Sequence, residues 1–188
     1  MLTVRLAQFS EIAAYERVPI RFEVRDILDI AGTPGQYRLT PRPSSRPYFK
    51  DYDVEPDERP SKWNIRFDVS NWQLFVAHEE NETLGAAAVA RATDGLHMLE
   101  GRSDLAVLWD IRVRPDARRS GVGSALFDAA ERWSLEQGCI QLKVETQDTN
   151  APACWFYLRH GCQLTRVNRG AYPTLPGEIQ LLWYKELP

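Results

Sequence analysis

Cysteine, histidine and methionine are all scarce in this chain of 188 residues, at three, three and two. Cys139, Cys154 and Cys162 form no C-x-x-C pair and no plausible disulfide framework, which points to a reducing, cytoplasmic setting. His78, His97 and His160 do not cluster, and nothing resembles H-x-x-H or H-E-x-x-H, so no metal is expected. No apolar run approaches the roughly 18 residues of a transmembrane helix. The opening MLTVRLAQFSEIAAYERV carries charge throughout and lacks a signal-peptide core. Positive charge is not in excess either, and the net charge of −3 gives no global field to recruit nucleic acid or an anionic membrane. What is left is ordinary globular composition, 44% hydrophobic and 26% charged, at a length suited to one domain over 1–188.

Leu2, Val4 and Leu6 alternate as a first strand, and Ser10 can cap a short helix to about Arg17. Residues 31–62 hold six of the twelve prolines (Pro34, Pro41, Pro43, Pro47, Pro56 and Pro60) and read as a long loop. Acid is concentrated there at Asp51, Asp53, Glu55, Asp57 and Glu58. WQLFVAHEENETLGAAAVAR reads as a hairpin of strands 72–79 and 83–91, and LAVLWDIRV (105–113) as a further strand. Val122, Leu126, Ala129, Ala130 and Trp133 form the stripe of an amphipathic helix that Gly138 ends. A strand follows at 140–146. Asn150 can cap a second helix with Pro152 in its first turn, and Gly161 closes it. Two last strands fall near 163–169 and 178–185, separated by YPTLPG. The class is mixed α/β. Its central strand–helix–strand–helix unit favours neighbouring parallel strands with a right-handed crossover.

Two arginines and two glycines, RRSGVG (118–123), precede the first long helix. A phosphate-binding P-loop would need a lysine that is absent here. A dinucleotide fingerprint would need glycine at Leu126, and Glu145, 22 residues after Gly123, is a poor ribose ligand. The pattern R-x-x-G-x-G fits, with Arg118, Gly121 and Gly123 in its fixed positions. Small residues admit a ligand close to the backbone, and the N–H groups of a helix start favour a diphosphate. Close helix–sheet packing would account for the glycines alone.

With WDIRVRPDARRSGVGSALFDAAERW followed by LKVETQDTNAPACWFYLRHGC, the chain resembles the GCN5-related N-acetyltransferases (GNAT family). The second string carries N-x-x-A-x-x-x-Y-x-x-x-G, and Asn150 lies 27 residues after Gly123. The resemblance covers residues 72–188 well and 1–71 thinly. DIRV, LKVETQ and the terminal LLWY are similar to streptothricin acetyltransferases. It implies a GNAT-like fold, a mixed sheet with a splayed strand pair flanked by helices. Residues 72–188 would bind acetyl-CoA and 1–71 the acceptor. Acetyl-CoA would enter the gap between strands 105–113 and 140–146. Ile111, Arg112 and Val113 would offer backbone to the pantetheine, and the N–H groups of Arg119, Ser120, Gly121, Val122, Gly123 and Ser124 would hold the diphosphate, with charge from Arg118. Asn150 would contact the pantetheine, or simply cap its helix.

The reaction implied is direct acyl transfer through a tetrahedral intermediate. Tyr157 takes the family's acid position, the alternative being a core tyrosine. Glu145, twelve residues earlier, is the first candidate base and Asp110 the second. Either could instead sit in a salt bridge, to Lys143 or Arg112 for example. No triad-like nucleophile is indicated, as neither Cys139 nor Cys154 has an evident partner base. The acidic segment 51–58 suggests a small cationic amine, such as a polyamine or a streptothricin-like antibiotic, unless it is merely solvated. Competing readings are an acetyl-CoA-binding sensor without chemistry and a protein lysine acetyltransferase. A monomer or a homodimer would both be compatible.

Overall fold

The computed structural model describes residues 1–188, which divide into two compact units. In chain order the elements are β1 (Leu2–Ala7), α1 (Ile12–Glu16), β2 (Phe22–Ala31), β3 (Arg38–Lys50), α2 (Trp63–Arg66), β4 (Gln73–Glu79) and β5 (Glu82–Arg91). They continue with β6 (Leu105–Val113), α3 (Val122–Glu136), β7 (Gln141–Gln147), α4 (Ala151–Arg159), β8 (Gln163–Arg169) and β9 (Ile179–Glu186). The mixed α/β class and the order β6–α3–β7–α4 are as the sequence indicates. No helix is long and apolar enough to cross a membrane.

The first unit comprises residues 1–21, 51–142 and 187–188. Its strands run β1-β4-β5-β6, each antiparallel to the next. Strand β5 is buried on both faces, which is why its LGAAAVA stretch is apolar without alternation. Ala86, Ala88 and Ala90 face a core of Leu74, Val76, Tyr15, Trp63 and Trp72. Aromatic rings tie it together: Trp72 lies 5.9 Å from Trp63 and 5.5 Å from Trp109 between centroids. Trp63, in a polar stretch of sequence, is thus a core residue, its indole N–H donating to the Glu58 carbonyl.

The opposite face of β5 carries α3, and one glycine sets how close it comes. A Cβ on Gly85 would lie 2.9 Å from the Arg112 carbonyl oxygen, 2.9 Å from Val122 Cγ1 and 3.0 Å from Leu126 Cδ1. The first turn of α3 therefore rests directly on the β5 and β6 backbones.

The second unit comprises residues 22–50 and 143–186. Strand β9 lies between β7 and β8 and pairs antiparallel with β8. β2 and β3 form a separate two-stranded antiparallel sheet. This corrects the reading of 31–62 as loop, since Pro41, Pro43 and Pro47 all lie within β3. Prolines exclude a central strand, but a two-stranded ribbon has none, and each strand tolerates prolines on its outer side. The pairing shifts register between Val24 and Asp26. The start of the N-terminal helix also differs from expectation: Ser10 lies inside a 3-10 turn, Phe9–Glu11, capped by Gln8, whose N–H donates to Glu11 at 2.9 Å, and Glu11 is the N-cap of α1.

Candidate active site

In the first unit, β6 is followed by a short 3-10 turn, Pro115–Ala117, and the chain reaches α3 through RRSG. Arg119 has a left-handed backbone (φ 64°) with its side chain exposed, and Gly121, the N-cap of α3, has φ 92°. Left-handed φ costs a residue with Cβ roughly 1–2 kcal/mol, so glycine at 121 is explained and arginine at 119 carries strain. Nothing lies within 4 Å of where a Cβ on Gly121 would stand. The first i→i−4 bond of the helix runs from the Ala125 N–H to the Gly121 carbonyl, so the amides of Val122, Gly123 and Ser124 precede the helical ladder. The first turn holds no acidic residue. Together these features suit an anion, drawn by roughly half a positive charge at the helix start. Ser120 uses its hydroxyl locally, donating to the Ala117 carbonyl at 2.7 Å.

Arg118 is placed differently from expectation. Its Nε donates to the Val113 carbonyl at 3.1 Å and its Nη2 to the Arg21 carbonyl at 2.7 Å, and burial lowers its pKa. It staples the turn to the end of β6. Arg114 N–H donates to the Leu84 carbonyl, and antiparallel alternation then turns the peptide groups of Ile111 and Val113 away from β5. Arg112 has its peptide group towards β5 by the same alternation.

The Arg112 side chain is buried and central (3% exposed). Its Nε and Nη2 grip Asp110 at 2.9 and 2.7 Å, Nη1 and Nη2 reach Asp53 at 2.9 and 3.3 Å, and Nη1 also meets the Val18 carbonyl at 3.1 Å. Five hydrogen bonds match the five N–H donors of a guanidinium. Burial works against its charge, but Asp110, Tyr15 and Asp53 together carry the pKa above the ordinary arginine range. Tyr15 donates to Asp110 Oδ1 at 2.6 Å, and burial with the Asp110 charge pushes its pKa well up. Asp110 is thus held in a salt bridge, to Arg112. Asp53 shows that the acidic segment is partly consumed inside the protein, whereas Glu58 pairs with Arg66 at 2.8 Å on the surface.

In the second unit, Glu145 sits half-buried on β7. Tyr172 Oη donates to its Oε1 at 2.6 Å and Gln180 Nε2 to its Oε2 at 2.9 Å. Both donors are uncharged. Lys143, two residues earlier, is buried with its ammonium 5.3 Å from the centre of the Tyr184 ring. Asn150 caps α4, its Oδ1 accepting from the Ala153 N–H at 3.3 Å. The Thr149 hydroxyl just before it is buried without a hydrogen-bond partner. Tyr157 lies on the buried stripe of α4 with Ala151 and Cys154. Burial pushes the Cys154 thiol up to about 12 and also raises Cys139. Tyr15, Asp53, Tyr172 and Gln180 were not indicated by sequence, where only the acidity of 51–58 marked any of them.

A family model described as the Acetyltransferase (GNAT) family matches residues 41–162. The chain belongs to the GNAT family. Among GNAT relatives, streptothricin acetyltransferase A of Bacillus subtilis (strain 168) is 31% identical over 152 residues, 80% of either chain. The streptothricin acetyltransferase of Escherichia coli is 26% identical over 166 residues, 87% of this chain and 84% of that one. A Bacillus anthracis str. Ames protein assigned as a streptothricin acetyltransferase, solved in complex with acetyl coenzyme A, shares the fold. Its TM-score is 0.81 at 22% identity, over 100% of this chain and 99% of that one. This GNAT protein is an acetyl-CoA-dependent N-acetyltransferase.

Proposed function

We propose that this GNAT enzyme moves the acetyl group of acetyl-CoA directly to a primary amine of a small cationic acceptor of the streptothricin class. The contrast between its two candidate carboxylates carries the reading. Asp110 is occupied by a guanidinium and a buried tyrosine. Glu145 is half-buried and held only by uncharged donors, so its negative charge is left for an ammonium group. An alkyl ammonium with a pKa near 10 must lose a proton before it attacks, and a positioned carboxylate can take it. Glu145 is accordingly the base, and Asp110 serves to fix Arg112.

Tyr157, on the inward stripe of α4, would return a proton to the departing thiolate. The cysteine thiols raised by burial favour direct transfer over a covalent acyl-cysteine, because the thiolate is the nucleophilic form. For acetyl-CoA, the amides from Arg119 to Ser124 fit the diphosphate, with exposed Arg119 in place of Arg118 as the added charge. Ile111 and Val113 would face the pantetheine with their peptide groups. Asn150 acts as a cap. Acetyl-CoA supplies the activated acyl group; the chain holds and aims it and manages the protons. The acceptor class is supported by the streptothricin relatives, which align over four-fifths or more of this chain.

Thiol release from acetyl-CoA, measured with streptothricin, an aminoglycoside, a polyamine and a lysine peptide, tests this. The highest kcat/KM is expected with streptothricin, and Tyr157→Phe should lower kcat about 10²-fold. A preference for the peptide would overturn the acceptor, and a wild-type rate in Tyr157→Phe the acid. Gly121→Val forces a β-branched residue into left-handed backbone and fills the space in front of the helix start. Calorimetric titration with CoA should show affinity weakened by about tenfold or more. Unchanged affinity would remove the cradle from this turn.

A further inference from the structure

We infer that Tyr172 is a positioning residue for acetyl transfer, its hydroxyl holding the Glu145 carboxylate in the orientation that receives the acceptor's ammonium. This rests on Glu145 being the base. A tyrosine hydroxyl has a single hydrogen, and its direction here is settled by a neighbour. Gln147 Nε2 donates to Tyr172 Oη at 3.0 Å, which leaves the hydroxyl hydrogen for Glu145 Oε1 at 2.6 Å. That length belongs to the charge-assisted O–H···O⁻ class. The other carboxylate oxygen is served by a second relay. Asn168 Nδ2 donates to Gln180 Oε1 at 2.6 Å, which turns the amide so that Nε2 faces Glu145 Oε2 at 2.9 Å.

Each oxygen of Glu145 thus takes one neutral donor, and each donor is oriented by another side chain. Rotation of the carboxylate about its last bond would break both bonds at once. Asn168, Gln180 and Gln147 stand on β8, β9 and β7, whereas Tyr172 stands in the connection 170–178 between β8 and β9. Within that connection Ala171 and residues 173–177 are exposed, while Tyr172 is half-buried. Glu178 at its far end pairs with Lys50. The connection is therefore fastened to the sheet at its start by the same hydroxyl that sets the carboxylate. The tyrosine does not itself move the amine's proton, because its hydrogen is already committed to Glu145. Its contribution is geometric, and shows in kcat.

Tyr172→Phe keeps the ring and removes only the hydroxyl. Steady-state rates should show kcat lowered about tenfold, the loss of one charge-assisted hydrogen bond, with the KM for acetyl-CoA within about twofold. Placed on Glu145→Gln, the same change should have no further effect on kcat, since there is no carboxylate left to orient. A wild-type kcat in Tyr172→Phe, or an equal loss in both backgrounds, would overturn the positioning role. A wild-type rate in Glu145→Gln alone would instead overturn the base beneath it.

Discussion

Glu145→Gln is expected to lower kcat/KM for the acceptor by about 10²–10⁴-fold while the affinity for acetyl-CoA stays unchanged. Glutamine can still accept at one end from Tyr172 or Gln180, so the β7–β9 region should keep its shape. What is lost is the negative charge and the capacity to take a proton. The residual rate of the variant should then follow the fraction of acceptor that has already lost its proton in solution. Below an amine pKa near 10, that fraction rises about tenfold per pH unit. Thiol release measured from neutral to mildly alkaline pH checks both features. A variant whose rate matched wild type at neutral pH would show that another group, or water alone, deprotonates the amine. The corresponding change at Asp110 acts on a carboxylate bound to Arg112, and disturbs the first unit before any proton transfer.

Arg112→Ala is expected to destabilise the protein by about 3–5 kcal/mol, the cost of leaving buried carboxylates without their partner. Asp110 and Asp53 both lean on this guanidinium, and Tyr15 is bonded to one of them. The removal also strips five hydrogen bonds from carboxylates and the Val18 carbonyl. Urea denaturation of wild type and variant measures the difference. Adding Asp110→Asn and Asp53→Asn to the variant should recover part of the loss, because the uncompensated charges go with the partner. A loss below about 1 kcal/mol, the level of an exposed ion pair, would mean that water reaches the cluster. Arg112 carries this weight although the resemblance implies a backbone role for it on β6, with the salt bridge to Asp110 as the alternative.

The elements that could be read from sequence are those whose signals are local. Strand β6 matches LAVLWDIRV residue for residue, and α3 announces itself by an apolar stripe closed by Gly138, whose φ of 79° is the left-handed stop. α4 was legible through Asn150, Pro152 and Gly161 for the same reason. β2 is masked in the sequence although Phe22, Val24, Leu28 and Ile30 alternate, because Asp26 interrupts the pattern where the ribbon shifts register. β3 was hidden by its prolines. Among the candidate site residues, the 118–124 turn is marked by its R-x-x-G-x-G spacing, and Glu145 and Tyr157 only through the family resemblance. Spacing cannot say which carboxylate is neutralised. That depends on the Arg112 side chain turning onto Asp110 among Val18 and Asp53, and on Glu145 meeting only the uncharged Tyr172 and Gln180, arrangements made only by folding. The arginine beside Asp110 in sequence was visible, but not that it would turn inward.

The prolines of β3 have one more consequence. Pro41 and Pro43 are two residues apart and paired with Leu28 and Asp26, so their ring nitrogens point to the same side, away from β2 if the ladder is to survive. No further strand joins the ribbon beyond β3. An open strand margin ordinarily invites a stranger's backbone to zip on, as in fibrils and runaway oligomers. Here that margin lacks hydrogen-bond donors at consecutive outward positions, so a 13-residue extended segment can lie in the open without templating its own kind.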